Sequence, residues 1–525
     1  MNLHLPWSKA TPDPVDLNDY ARRILTSRVY DVAIQTPLDP LPALSGRLGN
    51  RVLLKREDLQ PVFSFKIRGA YNKMAGLSRE VLERGVITAS AGNHAQGVAF
   101  AGQRLGVVPT IVMPRTTPGI KVAGVRARGG DAVIHGDNFD EASQYAQKLC
   151  AERGLTYVPP YDDPDVIAGQ GTVGMEILQQ HPEPIEAIFV PVGGGGLAAG
   201  IAAYVKFLRP DVKVIGVEPD DAASMKAAIA TGERVVLDRV GLFADGVAVR
   251  QAGQENFRIC RQCLDEVITV TTDEICAAVK DIFDGTRAVS EPAGGVSLAG
   301  LKRYAALHGL EGRTLVAINS GANLNFDRLR HIAERAEIGE GREALLAVTI
   351  PEEAGSYRRF MQVLGPRSIT EFNYRQTGPG IPAHIFVGVE LRGGQAEKRD
   401  IVAALGQAGY PVVDLSDDEI AKVHVRHMVG GRVAGLAHER VMRFQFPEYP
   451  GALLNFLNGL GQFWNITLFH YRNHGADYGR VLAGFDVPVT ERGRFAEAIE
   501  ALGYPSWDES DNPAIRLFLD ANAAG

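Results

Sequence analysis

Cysteine is scarce: four residues in 525 cannot build a disulfide framework. Positive charge is not in excess either. Fifty-five Lys and Arg stand against 62 Asp and Glu, a formal charge of −7, whereas nucleic-acid-binding domains are usually basic. Long hydrophobic runs are lacking as well. The one candidate for a membrane span, AIFVPVGGGGLAAGIAAYV at 187–205, carries Pro191 and four successive glycines that would disrupt a lipid-exposed helix. It reads instead as a buried strand over 187–192, a glycine turn and a helix from Leu197. The first twenty residues, MNLHLPWSKATPDPVDLNDY, hold prolines and acids where a secretory signal needs a continuous apolar core. A soluble, cytoplasmic protein is expected, with no nucleic-acid or membrane partner. What is present is ordinary globular composition, 45% hydrophobic and 22% charged. A chain this long can bury a large core without disulfides or metals, and at roughly 150 residues per domain it suggests about three or four domains.

From about residue 50 to 330, short β-branched runs alternate with longer helical patterns. VLLK (52–55), GVIT (85–88), PTIVM (109–113), DAVIH (131–135), AIFVPV (187–192), KVIGVE (213–218) and TLVAIN (314–319) read as strands buried on both faces. Helices between them imply parallel crossovers, hence an α/β domain of open, layered sheets. Glycine-rich turns follow several of these strands, at the carboxyl ends where open sheets bind ligands. The texture changes near residue 330. RHIAERAEIGEGRE (330–343) is charged and helical and reads as a linker over 331–343, after a first domain at 1–330. Beyond it the chain repeats itself. Pro351-Glu352, Gly355, Phe360 and Gly365 recur 96 residues later, and Ile369-Thr370 and Tyr374-Arg375 recur 97 later. Such an offset predicts two similar α+β modules, at 344–415 and 438–517, joined by a connector at 416–437.

Four segments carry chemistry. In Ser64-Phe65-Lys66-Ile67-Arg68-Gly69-Ala70, Lys66 is either a surface lysine with its stem on apolar groups or an amine of lowered pKa in an apolar pocket, able to form a Schiff base. The segment alone leaves both open. Thr88 to Gly97 follows a strand and opens a helix, so the small residues from Ser90 through Ala91 and Gly92 to Asn93 and His94 free backbone N–H groups to face an anion such as a carboxylate. Asn93 adds an amide donor, and His94 reads as structural. Gly193, Gly194, Gly195 and Gly196, then Leu197, let the backbone approach a phosphate closely. The run is neither GxGxxG nor followed by GK[ST], so a phosphate on a smaller cofactor fits better than a dinucleotide. Finally, Ser320 in Asn319-Ser320-Gly321-Ala322-Asn323 offers a neutral hydroxyl at a strand end. Cys260 and Cys263 have zinc or redox spacing but no second pair, and no metal is expected.

Together and in this order, SFKIRGA, SAGNHAQG, GGGGL and SGANLNF resemble the fold-type II pyridoxal-phosphate enzymes, and more narrowly the biosynthetic threonine dehydratases. The duplicated tail is similar to that family's paired ACT-like regulatory domains. The resemblance implies that Lys66 holds pyridoxal 5'-phosphate as an internal aldimine and, once released, removes the substrate's α-proton. It implies that Asn93 meets the cofactor's phenolic oxygen, that the amides of Gly193 to Leu197 bind its phosphate, and that the Ser90-to-His94 turn holds the substrate carboxylate. Ser320 would face the pyridine nitrogen and leave it largely neutral, where a carboxylate would protonate it. The activity implied is conversion of L-threonine to 2-oxobutanoate and ammonia, the first step of isoleucine biosynthesis, with L-serine as a second substrate. Isoleucine would inhibit and valine oppose it, with Tyr374 and Tyr471 at the effector sites, in a homotetramer. Serine racemases carry a serine where this chain has Ala91, and an acid where it has Ser224, six residues after Glu218; poor racemisation and no divalent metal there are expected. The competing reading is a β-replacement transferase resembling cysteine synthase. An amino-acid-binding regulator without activity, and a nucleotide-binding oxidoreductase, fit the motifs less well.

Overall fold

The β-branched runs of the first unit fold into two separate sheets. In this computed structural model, residues 14–351, 356–365, 367, 369–373, 382–427, 438–447, 464, 466–472 and 478–518 are described, and the chain divides into two units, Met1–Ile332 and Ala333–Gly525. Ten strands lie among the described residues of the first: β1 (Leu38–Pro40), β2 (Arg51–Arg56), β3 (Val86–Ala89), β4 (Thr110–Met113), β5 (Asp131–Ile134), β6 (Thr156–Tyr157), β7 (Ala187–Pro191), β8 (Lys213–Pro219), β9 (Glu266–Val270) and β10 (Thr314–Asn319). The larger sheet runs β1-β2-β10-β7-β8-β9 and the smaller β5-β4-β3-β6. Every pairing is parallel except β1 with β2.

Period-two alternation explains why β7 and β10 read as unbroken apolar runs. Ile188, Val190, Val316 and Ile318 enter the core on one face of the sheet, while Ala187, Phe189, Leu315 and Ala317 enter the core on the other. Each expected run contains a strand. The residues at 187–205 form β7, a turn and a helix that opens at Gly196 (Gly196–Leu208), and no helix among the described residues is long and apolar enough to cross a membrane. Three strands escape the sequence reading because two are very short and β9 lies at a sheet edge, where burial alternates along EVITV.

The second unit holds the duplication. β11 (Glu343–Ile350), β12 (Ile369–Asn373), β13 (Ala383–Glu390) and β14 (Val412–Asp414) order as β12-β13-β11-β14. β15 (Glu439–Pro447), β16 (Ile466–Arg472), β17 (Tyr478–Asp486) and β18 (Ser506–Asp508) order as β16-β17-β15-β18. Even an irregularity is copied: the register slips between Ile369 and Glu371 in one sheet and between Ile466 and Leu468 in the other. Bulges are built features, and a shared one ties the copies together more firmly than the matched letters do. Tyr374 and the residues at 448–463 lie outside the described residues, and Tyr471 lies in β16. The charged segment expected to be helical forms the helix Arg328–Gly339, and it buries Ile332, Ala336 and Ile338. Ile332 and Ala336, one turn apart, share a buried face with His331 and Arg335, while Ile338 is buried on another side of the helix.

Candidate active site

Parallel pairing gathers the carboxyl ends within each sheet, and the loops after β3 in the smaller sheet and after β7 and β10 in the larger carry three of the four motifs, with Asn93 after β3 bonded to Asn323 after β10. The fourth is stitched to the loop after β10. Ser64 bridges Gly321, the Phe65 N–H donates to the Ser320 carbonyl at 3.2 Å, and the Ala322 N–H donates to the Phe63 carbonyl at 2.9 Å. Phe63 takes the left-handed backbone region, φ 57°, which a bulky side chain seldom adopts. This stitch sets Lys66, first residue of the helix Lys66–Ala75, beside Ser320.

Lys66 is half-buried. Its Nζ donates to the Pro160 carbonyl at 2.8 Å. Desolvation pushes its pKa down to about 8, against the pull of the Glu291 carboxyl. Of the two alternatives for this lysine, its surroundings match the amine of lowered pKa. Below it, the same helix is gripped by a cluster of four fully buried ions. Arg68 reaches Glu57 at 2.7 Å and Glu176 at 2.5 Å, and Lys55 reaches Glu176 at 2.6 Å. Thr36 and Tyr30 hydroxyls donate to the same two carboxylates.

The Ser90–His94 turn opens the helix Asn93–Leu105, whose start has no side-chain cap. His94 is buried, with Nε2 3.0 Å from the Val158 carbonyl. Burial and the nearby Lys66 charge drive its pKa down to about 3. A neutral imidazole donating through Nε2 is therefore a fixed part of the scaffold, as the sequence suggested.

The glycine run turns from β7 into the helix Gly196–Leu208, which also begins without a side-chain cap, among buried residues. Gly195 has φ +97°, a conformation side chains disfavour. The need for glycine at 194 differs from the expected one: an added Cβ would lie 2.3 Å from the Tyr161 ring, so protein packing demands it, whatever the backbone binds on its other side. Asn256 Nδ2 holds the Gly194 carbonyl at 2.7 Å, leaving the helix-start N–H groups as the anion-binding element. Ser320 is buried, and its hydroxyl donates to the Ala293 carbonyl at a long 3.3 Å. An uncapped buried helix start, an amine without a close carboxylate partner and a neutral hydroxyl form a donor set that fits pyridoxal phosphate.

Two carboxyls were missed by the sequence reading. Glu291 is buried, accepts a hydrogen bond from Asn93 Nδ2 at 2.6 Å, and is pushed up to about 7 by burial and by the negative Asp245. Asp245 pairs with Lys121 at 2.7 Å and Arg328 at 3.3 Å. Burial alone would raise its pKa, but these cations hold it well below the usual carboxylate range. The only local signal for Glu291 is an acid before Pro292 at the start of an apolar helix, which any N-cap would share. Elsewhere, Cys260 and Cys263 are buried in the helix Gln254–Cys263, and burial raises both thiol pKa values. Glu218 accepts the N–H groups of Met225 and Lys226, each at 2.8 Å. No metal-binding group of three or more His, Cys, Asp or Glu occurs among the described residues.

Residues 29–321 match the family model described as pyridoxal-phosphate dependent enzyme. Residues 334–425 and 430–519 each match the one described as the C-terminal regulatory domain of threonine dehydratase. The chain is 57% identical to the biosynthetic L-threonine dehydratase of Burkholderia multivorans over 505 residues, covering 96% of this chain and 99% of that one. It is also 57% identical to the Escherichia coli K12 protein of that name over 501 residues, 95% and 97% of the two chains. Among solved structures, the processed form of threonine deaminase isoform 2 from Solanum lycopersicum superposes with a TM-score of 0.60 at 52% identity, covering 61% of this chain and 93% of that one.

Proposed function

The chain belongs to the biosynthetic threonine dehydratases of the pyridoxal-phosphate-dependent enzyme family, and from that premise we propose how its own residues deaminate L-threonine to 2-oxobutanoate and ammonia. The observation that carries the reading is the half-buried Lys66 amine, its pKa lowered, stitched beside a neutral Ser320 near uncapped helix starts. When bound, pyridoxal phosphate supplies an aldehyde that captures amines and withdraws electrons from the substrate's α-carbon. Lys66 would hold that group through its amine and, when free, would take the α-proton of the substrate. The N–H groups from Gly193 to Leu197 hold the phosphate. Those from Ser90 through Ala91, Gly92 and Asn93 to His94 hold the substrate carboxylate, and Asn93 donates to the phenolic oxygen. Ser320 would offer the ring nitrogen a neutral hydroxyl, so the cofactor would supply only moderate electron withdrawal, a setting that favours loss of the β-hydroxyl. Incubation with threonine, following 2-oxobutanoate, tests the activity; sulfide or another nucleophile should not divert the product, as it would in the β-replacement alternative.

Ser320→Ala should slow turnover by about fivefold, the loss of one neutral hydrogen bond worth roughly 1 kcal/mol. Ser320→Asp should instead raise racemised and transaminated side products, because a carboxylate protonates the ring nitrogen. Product analysis by chiral chromatography decides, and more side product from Ala than from Asp would refute the electronic role. The apoprotein should take up pyridoxal phosphate faster as pH rises, passing half its maximal rate near pH 8 and levelling off above it, because only the neutral Lys66 amine attacks an aldehyde. Uptake that kept accelerating toward pH 10 would mean an unperturbed lysine.

The tail supports regulation by a small molecule. Isoleucine as inhibitor, valine as its antagonist, Tyr374 and Tyr471 as contacts, a homotetramer and a cytoplasmic location are carried by the resemblance of the sequence. The domain limits 1–330, 344–415 and 438–517 belong to the same proposal. A chain ending after Gly339 retains Arg328 and its pairing with Asp245. It should keep threonine turnover, once shown to be soluble, and lose isoleucine inhibition; undiminished inhibition would place the sensor in the first unit. Coupling between such sites is typically about 1–3 kcal/mol.

A further inference from the structure

The two ends of an asparagine amide have nearly the same shape, so only the chemistry of its neighbours decides which way Asn93 faces. A carbonyl oxygen accepts and cannot donate, so the Asn323 atom 2.8 Å from the Val62 carbonyl must be its nitrogen. That nitrogen also lies 2.7 Å from a terminal atom of Asn93, which must then be the oxygen. The remaining Asn93 atom is its nitrogen, 2.6 Å from Glu291 Oε1, and a carboxylate accepts. Gln96 Nε2 approaches the Asn323 oxygen at 3.3 Å, in agreement with that order. The amide is thus fixed from both ends, by residues nearly 200 and 230 positions away in the chain.

Glu291 is itself held tightly. Its backbone N–H donates to the Gly321 carbonyl at 3.1 Å, and a Cβ at Gly321 would come within 2.6 Å of Glu291 Oε1. One N–H of Asn93 is spent on Glu291 and its oxygen on Asn323. The second N–H is left in a half-buried side chain at the opening of the helix Asn93–Leu105.

Resting on the reading that Asn93 meets the cofactor's phenolic oxygen, we propose that Glu291 is a positioning residue: by accepting one Asn93 N–H, while Asn323 holds the amide oxygen, it aims the second N–H at the cofactor. Glu291 touches neither substrate nor cofactor in this role. The charge it carries is secondary to the lone pair it offers.

The experiment compares wild-type, Glu291→Ala, Glu291→Gln and Asn323→Ala apoproteins, each shown to be folded by its melting curve. Pyridoxal phosphate is titrated in, reading the dissociation constant and the absorbance spectrum of the bound cofactor across pH. Glu291→Ala should weaken binding by about tenfold, the scale of a hydrogen bond to a carboxylate, Asn323→Ala by about fivefold, the scale of a neutral one, and both should shift the bound spectrum. Glu291→Gln, whose carbonyl can accept the same N–H, should stay within about threefold of wild type with an unshifted spectrum. Unchanged affinity and spectrum in both alanine variants would overturn the proposal. So would a Gln variant as weak as Ala, because the charge would then be the active element. If Glu291→Ala does not fold, Asn323→Ala and Glu291→Gln decide between the same outcomes. A wild-type apoprotein that binds no pyridoxal phosphate would overturn the reading of the site, and this inference with it.

Discussion

Lys66→Ala should turn over threonine about 10³-fold more slowly, or worse, while folding normally. General-base catalysis alone is worth about 10²–10⁴-fold, and the same change removes the covalent anchor for the cofactor. The stability of the apoprotein provides a second readout with the opposite sign. In the folded chain Lys66 has a pKa near 8, below its ordinary value of 10.5. A depressed amine costs stability wherever the unfolded chain binds the proton more tightly. That cost is complete below about pH 8 and relieved as pH rises toward 10.5. Wild-type apoprotein should therefore gain stability between pH 8 and 10.5, and Lys66→Ala should lack that gain. Denaturant titrations at several pH values test it. A variant with near-normal turnover would remove Lys66 from the reaction.

The second large effect is expected in stability, from the ions beneath the same helix. Arg68, Lys55, Glu57 and Glu176 have fully buried side chains, and each pays for its desolvation only through its partners. Arg68→Ala strands two carboxylates with Lys55 alone between them, a loss of about 3–5 kcal/mol by comparison with other broken buried pairs. Arg68→Lys should recover little, because a point-like ammonium cannot span Glu57 and Glu176 as the guanidinium does. Urea unfolding of the apoprotein measures this directly. A change under about 1 kcal/mol would mean that water enters to solvate the stranded acids. Since Arg68 lies two residues from Lys66, cofactor affinity should fall as well.

What could be read from the letters was whatever is local. The strand runs of β7 and β10, the uncharged turns after them, and the helix that opens after Ser90 each declare themselves within about ten residues, because steric and hydrophobic periodicities act over that range. The duplication was legible because it compares the chain with itself. Glu291 and Asp245 were not, since their meaning lies in partners far along the chain, Asn93 for one, Lys121 and Arg328 for the other. The packing need for glycine at 194 was hidden for the same reason: the Tyr161 ring that occupies the space is 33 positions away. The helix Arg328–Gly339 was legible as a helix, but its burial was not, because its few apolar residues are outnumbered by charges.

The place of β10 in the larger sheet has a consequence for how the protein is made. β10 lies between β2 and β7 and pairs with both in parallel, so the strand at Arg51–Arg56 lacks an inner neighbour until Thr314–Asn319 has been synthesised. At about 5–20 residues per second, that interval lasts on the order of ten seconds to a minute. The smaller sheet, β3 to β6, is complete by residue 157 and can form first. During the wait, the apolar edges of β2 and β7 face the cell with their hydrogen-bonding groups unpaired, the template on which nascent chains aggregate. Yield in the cell should therefore depend on chaperone capacity more steeply than the stability of the finished protein would suggest.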